Sequence, residues 1–404
     1  MTGGISPVTG LHHGTASTAA IACLDRFRTE LLTYGLDAAI VFESVRHDPE
    51  FAGAHALAAA THLLTMSPEG VKRAGPYAAT ASALKGSAPP RERLLVDAVA
   101  CWAAGETRAA EARLEELVAR WPQDLVAARL LQVHQLNRGD FRAMRRMTKA
   151  LVAANPEVSH VGGMHAFALA ETGAVRRAER LAREAADAAF DPWAEHALAH
   201  VFAARGEARE ALRWLSPRAE RWSRCSSFLF THNWWHLALA YLALGDREAV
   251  LQLFDTRVWG VRKAYCQDQV NAVSLLVRLE LAGARVGDRW ADVAAFLAPR
   301  TAEHLNGLLD LHYLLGLARA GRDRELAAMQ QSLADKSRRS KDPVWRWIVP
   351  TAAAGLVAYA SGRWESSVTF LRRSLPHLFR LGGSSVQRAL FHDLLRHAER
   401  AACQ

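Results

Sequence analysis

Histidine is the residue type in this chain whose spacing most plainly permits chemistry. His196 and His200 are four residues apart, and so are His232 and His236. Positions four apart share one face of a helix, so each pair aims two imidazoles the same way. Neutral imidazole is a common ligand for zinc, and it also titrates close to neutral pH. Two chemistries follow. In one, His196, His200, His232 and His236 hold zinc or another divalent metal. In the other, His232, His236, His196, His200 and His312 serve as acid or base, with Asp310 as an orienting carboxylate. Neither pair has the glutamate that makes HExxH a hydrolytic zinc motif, and no cysteine is near. Asp310 and His312 are two apart and point to different sides, so Asp310 must serve a histidine from elsewhere. A third reading is bland: the rings satisfy one another inside the core.

Other residues gather around this set. Trp193, Asn233 and Trp235 sit beside the histidine positions and are expected to wall a pocket, joined by His165 and His304. His304 and His312 are expected on one face of a later helix. Gly382-Gly383-Ser384-Ser385 precedes a helix start, where backbone N–H groups can meet an anion. Gln387 and Arg388 lie in that helix's first turn and are candidates to touch a ligand. The alternative there is a plain cap by Ser384 or Ser385. Cys225 precedes the His232 helix, but a single scattered cysteine is a weak nucleophile signal.

The elements that position these side chains show in a repeat. A glycine recurs at Gly105, Gly139, Gly173, Gly206, Gly245, Gly283, Gly321 and Gly362. The early interval is about 34 residues, and the later ones are a few residues longer. Glycine there ends one helix and lets the next begin at once. Ala110, Ala178 and Ala211 follow five positions on, where paired helices would cross closely. Asp191-Pro192 reads as an N-cap followed by proline at the first helical position. Nothing alternates as a strand would. The expected fold is all-α: a tetratricopeptide-like helical-repeat solenoid of about ten helix pairs with a C-terminal capping helix. Residues 1–17 are expected to be a loose arm. Residues 18–404 form one solenoid, with N-terminal helices over 18–90, regular repeats over 91–260, and longer repeats and a cap over 261–404. His134, His160, His165, His196, His200, His232, His236, His304 and His312 fall on the first helix of a pair, and the second helices between Glu106 and Lys336 carry none. Stacked first helices line one surface, so the imidazoles should meet in one concavity.

Composition bounds the function. The 404 residues are half hydrophobic, enough for a large core. The formal charge is +9, but the basic residues are spread over many helices. A dispersed excess argues for solvated faces and against a nucleic-acid partner. No apolar run reaches membrane-spanning length, and the first residues do not form a signal peptide. Five scattered cysteines without CxxC spacing fit a reducing, cytoplasmic setting. Trp102, Trp121, Trp214 and Trp222 are read as packing residues.

Several segments resemble the tetratricopeptide repeat protein 38 family. They are Ser159-His160-Val161-Gly162-Gly163-Met164, Asp191-Pro192-Trp193-Ala194-Glu195-His196 through His200, His232-Asn233-Trp234-Trp235-His236, Arg278-Leu279, Arg289-Trp290, Asp310-Leu311-His312 and Gly382 through Arg388. Thr15-Ala16-Ser17 and Pro90-Arg91-Glu92 are similar too. The resemblance covers nearly the whole chain and is that of a divergent, bacterial member. It implies an all-helical repeat fold and no established activity or cofactor. It also implies that Asp191, Trp193, His196, His200, His232, Asn233, Trp235, His236, Asp310, His312, Gln387 and Arg388 form a recurrent polar set. Relatives carry carboxylates where this chain has Ala203, Asn271 and Ala389, which leaves the pocket more positive here. The expectation is a His- and Trp-rich pocket for a small anionic or aromatic ligand. The alternatives are an enzyme using the histidines, or a scaffold holding a peptide or protein in its groove.

Overall fold

The computed structural model describes residues 3–403. Among them are 21 α-helices and no strand beyond two isolated bridges. The first ten are α1 (Thr18–Thr33), α2 (Ile40–His47), α3 (Ala52–Leu63), α4 (Pro68–Leu84), α5 (Pro90–Ala103), α6 (Thr107–Arg120), α7 (Leu125–Arg138), α8 (Phe141–Ala154), α9 (Ser159–Glu171) and α10 (Val175–Ala188). Next come α11 (Pro192–Arg205), α12 (Ala208–Leu215), α13 (Ser227–Ala243), α14 (Arg247–Leu253), α15 (Cys266–Leu281) and α16 (Arg289–Leu297). The last five are α17 (Gly307–Arg319), α18 (Asp323–Arg339), α19 (Val349–Ala360), α20 (Trp364–Ser374) and α21 (Ser385–Ala402). Ten pairs and a closing helix are thus present, as the repeat of glycines implies.

The glycines do what the pattern requires. All eight have positive φ, from 65° at Gly321 to 84° at Gly245. The longer later period also has a cause. Extra 3-10 or wider turns extend the second helices or their ends, at Ser216–Arg224, Phe254–Val258, Ala298–Arg300 and Leu375–Leu381. The two kinds of helix are buried differently. α10 buries a stripe of Ala178, Ala182, Ala185 and Ala186, and α18 buries only Met329 and Leu333. α15 and α17 are buried on nearly all sides. A first helix packs between neighbours, while a second helix keeps one face for water. Ala110, Ala178 and Ala211 are all buried at the pair crossings.

The chain divides into two compact units. Unit one comprises Met1–Gln135, Phe141–Ala197 and Arg224–Ser226; unit two comprises Leu136–Asp140, Leu198–Ser223 and Ser227–Gln404. In unit one the first residues are held, against the expectation of a loose arm. Gly4 N donates to Thr15 O at 2.6 Å and His13 N donates to Gly4 O at 2.9 Å. His13 Nδ1 sits 3.0 Å from Glu92, and Gly14 N donates to the same carboxylate at 3.1 Å. Arg91 donates to His12 O at 3.1 Å and pairs with Asp124. A buried ion network therefore pins the segment, and the Arg91-Glu92 dipeptide is its anchor. Met1 and Thr2 lie outside the described residues.

In unit two, α21 closes the stack. Its start is a full capping box: Ser384 Oγ accepts from Gln387 N at 3.2 Å, and Ser384 N donates to Gln387 Oε1 at 2.8 Å. No helix among the described residues is long and apolar enough to cross a membrane.

Candidate functional site

One histidine of the first pair, His200, meets the second pair. Asp191 starts α11: its Oδ1 accepts from Trp193 N at 3.1 Å and Ala194 N at 3.0 Å. That cap fixes the register that sets His196 and His200 on one face, one turn apart. α13 does the same for His232 and His236. In unit two, His200, His232 and His236 each offer a ring nitrogen, and these nitrogens lie within 4.8 Å of one another. All four rings are buried, with exposures from 2% to 5%. In unit two the ring of His236 lies 4.6 Å from His200 and 4.8 Å from His232, edge to face in both cases. Trp235 stacks on His232 at 5.1 Å and meets His236 edge-on at 4.8 Å.

One imidazole has its proton placed by a relay. Thr231 Oγ1 donates to Asp268 Oδ1 at 2.9 Å, so it accepts from Asn271 Nδ2 at 3.2 Å. The Asn271 oxygen then faces His232 Nδ1 at 2.9 Å. An amide oxygen only accepts, so Nδ1 of His232 carries the hydrogen and Nε2 keeps its lone pair. Burial holds the His232 imidazolium unfavourable and pulls its pKa down to about 4, with the Asn271 bond opposing and His200 reinforcing. His236 is pulled well below its ordinary value by burial, then by His200, His232 and Arg278. Both rings are neutral at physiological pH.

A separate cavity of about 600 Å³ opens within unit two. Ala203, Ala204, Leu239, Leu242, Leu281 and Val386 give it apolar walls; Arg278, Asp393, Arg396 and Arg400 give it charge. Neither tryptophan nor histidine lines it, so it is not the His- and Trp-rich pocket that was expected. The imidazoles are one turn too deep: His200 precedes Ala203 and Ala204, and His236 precedes Leu239. Ala203 and Ala389 are both in the wall.

Arg278 connects the two features. Its guanidinium is over nine-tenths buried, at 8% exposure, and lies over the Trp235 ring at 5.5 Å. It donates to Val386 O at 2.8 Å, and to the oxygens of Ser274. It forms no ion pair among the described residues. Asp393, the carboxylate that acts on it, is paired with Arg396. Burial lowers the Arg278 pKa to about 10, which still leaves it fully charged.

The remaining expected site residues lie elsewhere. His165 belongs to unit one and turns toward α8, its Nδ1 2.9 Å from Thr148 Oγ1. Burial and then Arg177, Arg145 and Lys149 lower its pKa to about 4. His160 reaches Phe190 O at 3.2 Å, and His134 packs edge-on against Trp102 at 4.6 Å. Trp193 is sandwiched in unit one by Tyr34 at 5.2 Å and His196 at 4.4 Å, with Arg129 over it at 5.3 Å. Asn233 is buried on α13 at 2% exposure. His312 donates from Nδ1 to Leu308 O at 2.7 Å and meets Phe391 edge-on; burial lowers its pKa to about 4. Gln387 and Arg388 have local tasks in place of the expected ligand. Gln387 completes the capping box, and Arg388 donates to the Gly382 and Gly383 carbonyls. Cys225 is buried, and burial pushes its thiol up to about 12, which makes it a poor nucleophile.

His304 is not on a helix. Asn306 caps α17, its side chain accepting from Leu308 N at 2.8 Å, so the helix begins at Gly307. His304 stands before it with φ of 47°. Its Nδ1 is 2.7 Å from Asp310 Oδ2 and its Nε2 is 2.6 Å from Ser332 Oγ. Asp310 therefore finds its histidine in the loop ahead of its own helix. The order Ser-His-Asp is that of a nucleophilic relay, but none of the three lines the cavity. The contacts tie the 301–306 loop to α17 and α18.

Sequence reasoning passed over Arg278, Ser332 and the Thr231–Asp268 pair as site residues. Arg278 had a signal, a lone charge inside Leu275-Leu276-Val277-Arg278-Leu279. Ser332 had none. No protein-family model matches the chain. Among solved structures, it is similar to a tetratricopeptide repeat protein from Parabacteroides merdae ATCC 43184. That match has 12% identity, covers 76% of this chain and 98% of the other, and has a TM-score of 0.29. It is also similar to the P58(IPK) TPR domain, at 12% identity over 78% of this chain and 99% of that one, with a TM-score of 0.24.

Proposed function

We propose that this all-α helical-repeat protein binds a small organic anion in the cavity of unit two, with Arg278 as its charged anchor. One observation carries the reading: a guanidinium at 8% exposure lines a cavity of about 600 Å³ and has no carboxylate paired to it among the described residues. A buried charge is costly unless something of opposite sign approaches it. Guanidinium also suits carboxylate and phosphate, because its donors form a planar fork. Arg396 and Arg400 add positive charge against the single carboxylate of Asp393 in the wall. Alanine at 203 and 389 removes competing negative charge, and the leucines suit an apolar ligand body. A volume of this size accommodates a metabolite-sized molecule. The aromatic-ligand alternative draws no support from the wall, which holds no aromatic ring. Acid–base use of the histidines draws none either, since the cavity does not reach them. The free cysteines support a reducing compartment such as the cytoplasm.

The test is calorimetric titration of the full chain with inorganic phosphate, aliphatic and aromatic carboxylates, and peptides with a free C-terminal carboxylate. Binding of one class is expected. Arg278→Met should weaken it at least about tenfold, in line with the loss of a charge-assisted contact. Ala203→Glu, a change at an exposed position, should do the same without moving the melting temperature. If the wild type binds none of the panel, or both variants bind as well as it does, the reading fails.

A further inference from the structure

We infer that His200, His232 and His236, all in unit two, bind a divalent transition-metal ion of the zinc, nickel or copper(II) class. The site is distinct from the anion cavity. Three ring nitrogens within 4.8 Å of one another are close to a coordination set, with room for a water as the fourth ligand. Zinc–nitrogen bonds of about 2.0–2.1 Å place tetrahedral ligand atoms about 3.3 Å apart. Small side-chain rotations on α11 and α13 would close the difference.

The surroundings orient the rings as ligands. A neutral imidazole has one N–H and one lone pair. The Asp268–Thr231–Asn271 relay fixes the N–H of His232 on Nδ1, so Nε2 is the nitrogen that bears the lone pair. Holding the second nitrogen this way is how metal-ligating histidines are usually oriented. Trp235 fixes the ring planes of His232 and His236 by stacking and edge contact. The rings are 2–5% exposed, so water competes poorly. The set contains no thiolate and no carboxylate. Imidazole alone selects borderline metals over magnesium or calcium, which take oxygen ligands. The bland alternative is a core of histidines bonded to one another. It predicts the same burial but no stoichiometric metal.

The experiment uses the full chain, stripped with a chelator and titrated separately with zinc(II) and cobalt(II). One ion per chain is expected by elemental analysis. Cobalt should give visible bands of a nitrogen-ligated tetrahedral site, without thiolate charge transfer. His232→Gln and His236→Gln should each lower affinity at least about 100-fold, and Asn271→Leu about 10- to 100-fold as an outer-shell change. His165→Gln, a buried histidine elsewhere, should leave it unchanged. Should the ligand variants fail to fold, the wild-type cobalt spectrum decides. Less than about 0.2 equivalents of zinc together with no visible cobalt bands would overturn the assignment. So would unchanged binding in folded His232→Gln.

Discussion

At the residue scale, Asp191 shows how one side chain can serve a fold and strain it. One carboxylate oxygen caps α11, while Oδ2 has no hydrogen-bond partner among the described residues. Burial pushes the Asp191 pKa from 3.8 up to about 7, against the pull of the Ala194 N–H, Arg129 and the Trp193 N–H. A carboxyl group with a raised folded pKa favours the native state only while protonated. Its contribution is therefore present below the unfolded value near 4 and is lost as pH climbs to about 7. Asp191→Asn keeps the capping oxygen and removes the charge. It should match the wild type near pH 4 and exceed it at pH 8 by on the order of 3 kcal/mol, read by denaturant melts. A variant equally stable at both pH values would contradict the placement of that charge. His232 and His312 work in the opposite sense. Their folded pKa values are held near 4, so stability falls as pH drops from about 6.5 toward 4. Comparing the asparagine variant with the wild type at each pH cancels that background.

At the element scale, the inter-helix glycines look alike in sequence and differ in the fold. Gly173 has φ of 81° and open space where a Cβ would go. Gly139 has φ of 71°, but a Cβ there would sit 1.8 Å from Phe379 O. The first asks only for the left-handed conformation, which costs an L residue about 1–2 kcal/mol. The second must also push the backbone of the 375–381 turn. Gly139→Ala should therefore destabilise at least about twice as much as Gly173→Ala in chemical denaturation. Equal losses would mean that the 139 turn and the 379 segment do not touch. The repeat period revealed that both positions were turns. It held no trace of the partner 240 positions on, because that contact depends on how helices stack.

At the scale of the whole molecule, the charge of +9 is largely spent on solvated faces. Pairs such as Arg46–Glu43, Arg73–Glu69 and Arg180–Glu184 are within one or two turns and well exposed. Such pairs contribute little and are screened by salt. Raising sodium chloride from about 0.05 to 0.5 M should move the melting temperature by less than about 3 °C. A fall several times larger would show that the surface pairs carry the fold. Stability rests instead on first helices buried on nearly every side, as in α15 and α17.

The all-α repeat, its ten pairs, its glycine turns and the two histidine pairs were determined by the sequence alone. Each depends on local periods: 3.6 residues for a helix face, and about 34 or more for a unit. Which histidines share a site was decided only by packing. Spacing placed His165 and His304 with the others, yet Thr148 draws one away and Asn306 starts α17 only after the other. Gln387 and Arg388 looked like ligand contacts because their capping partners could not be assigned without the loop's path. The cavity, and the unpaired charge of Arg278 in its wall, are made from α11, α13, α15 and α21 together. No linear pattern encodes a volume, because it is what remains when distant helices have filled the rest of the space.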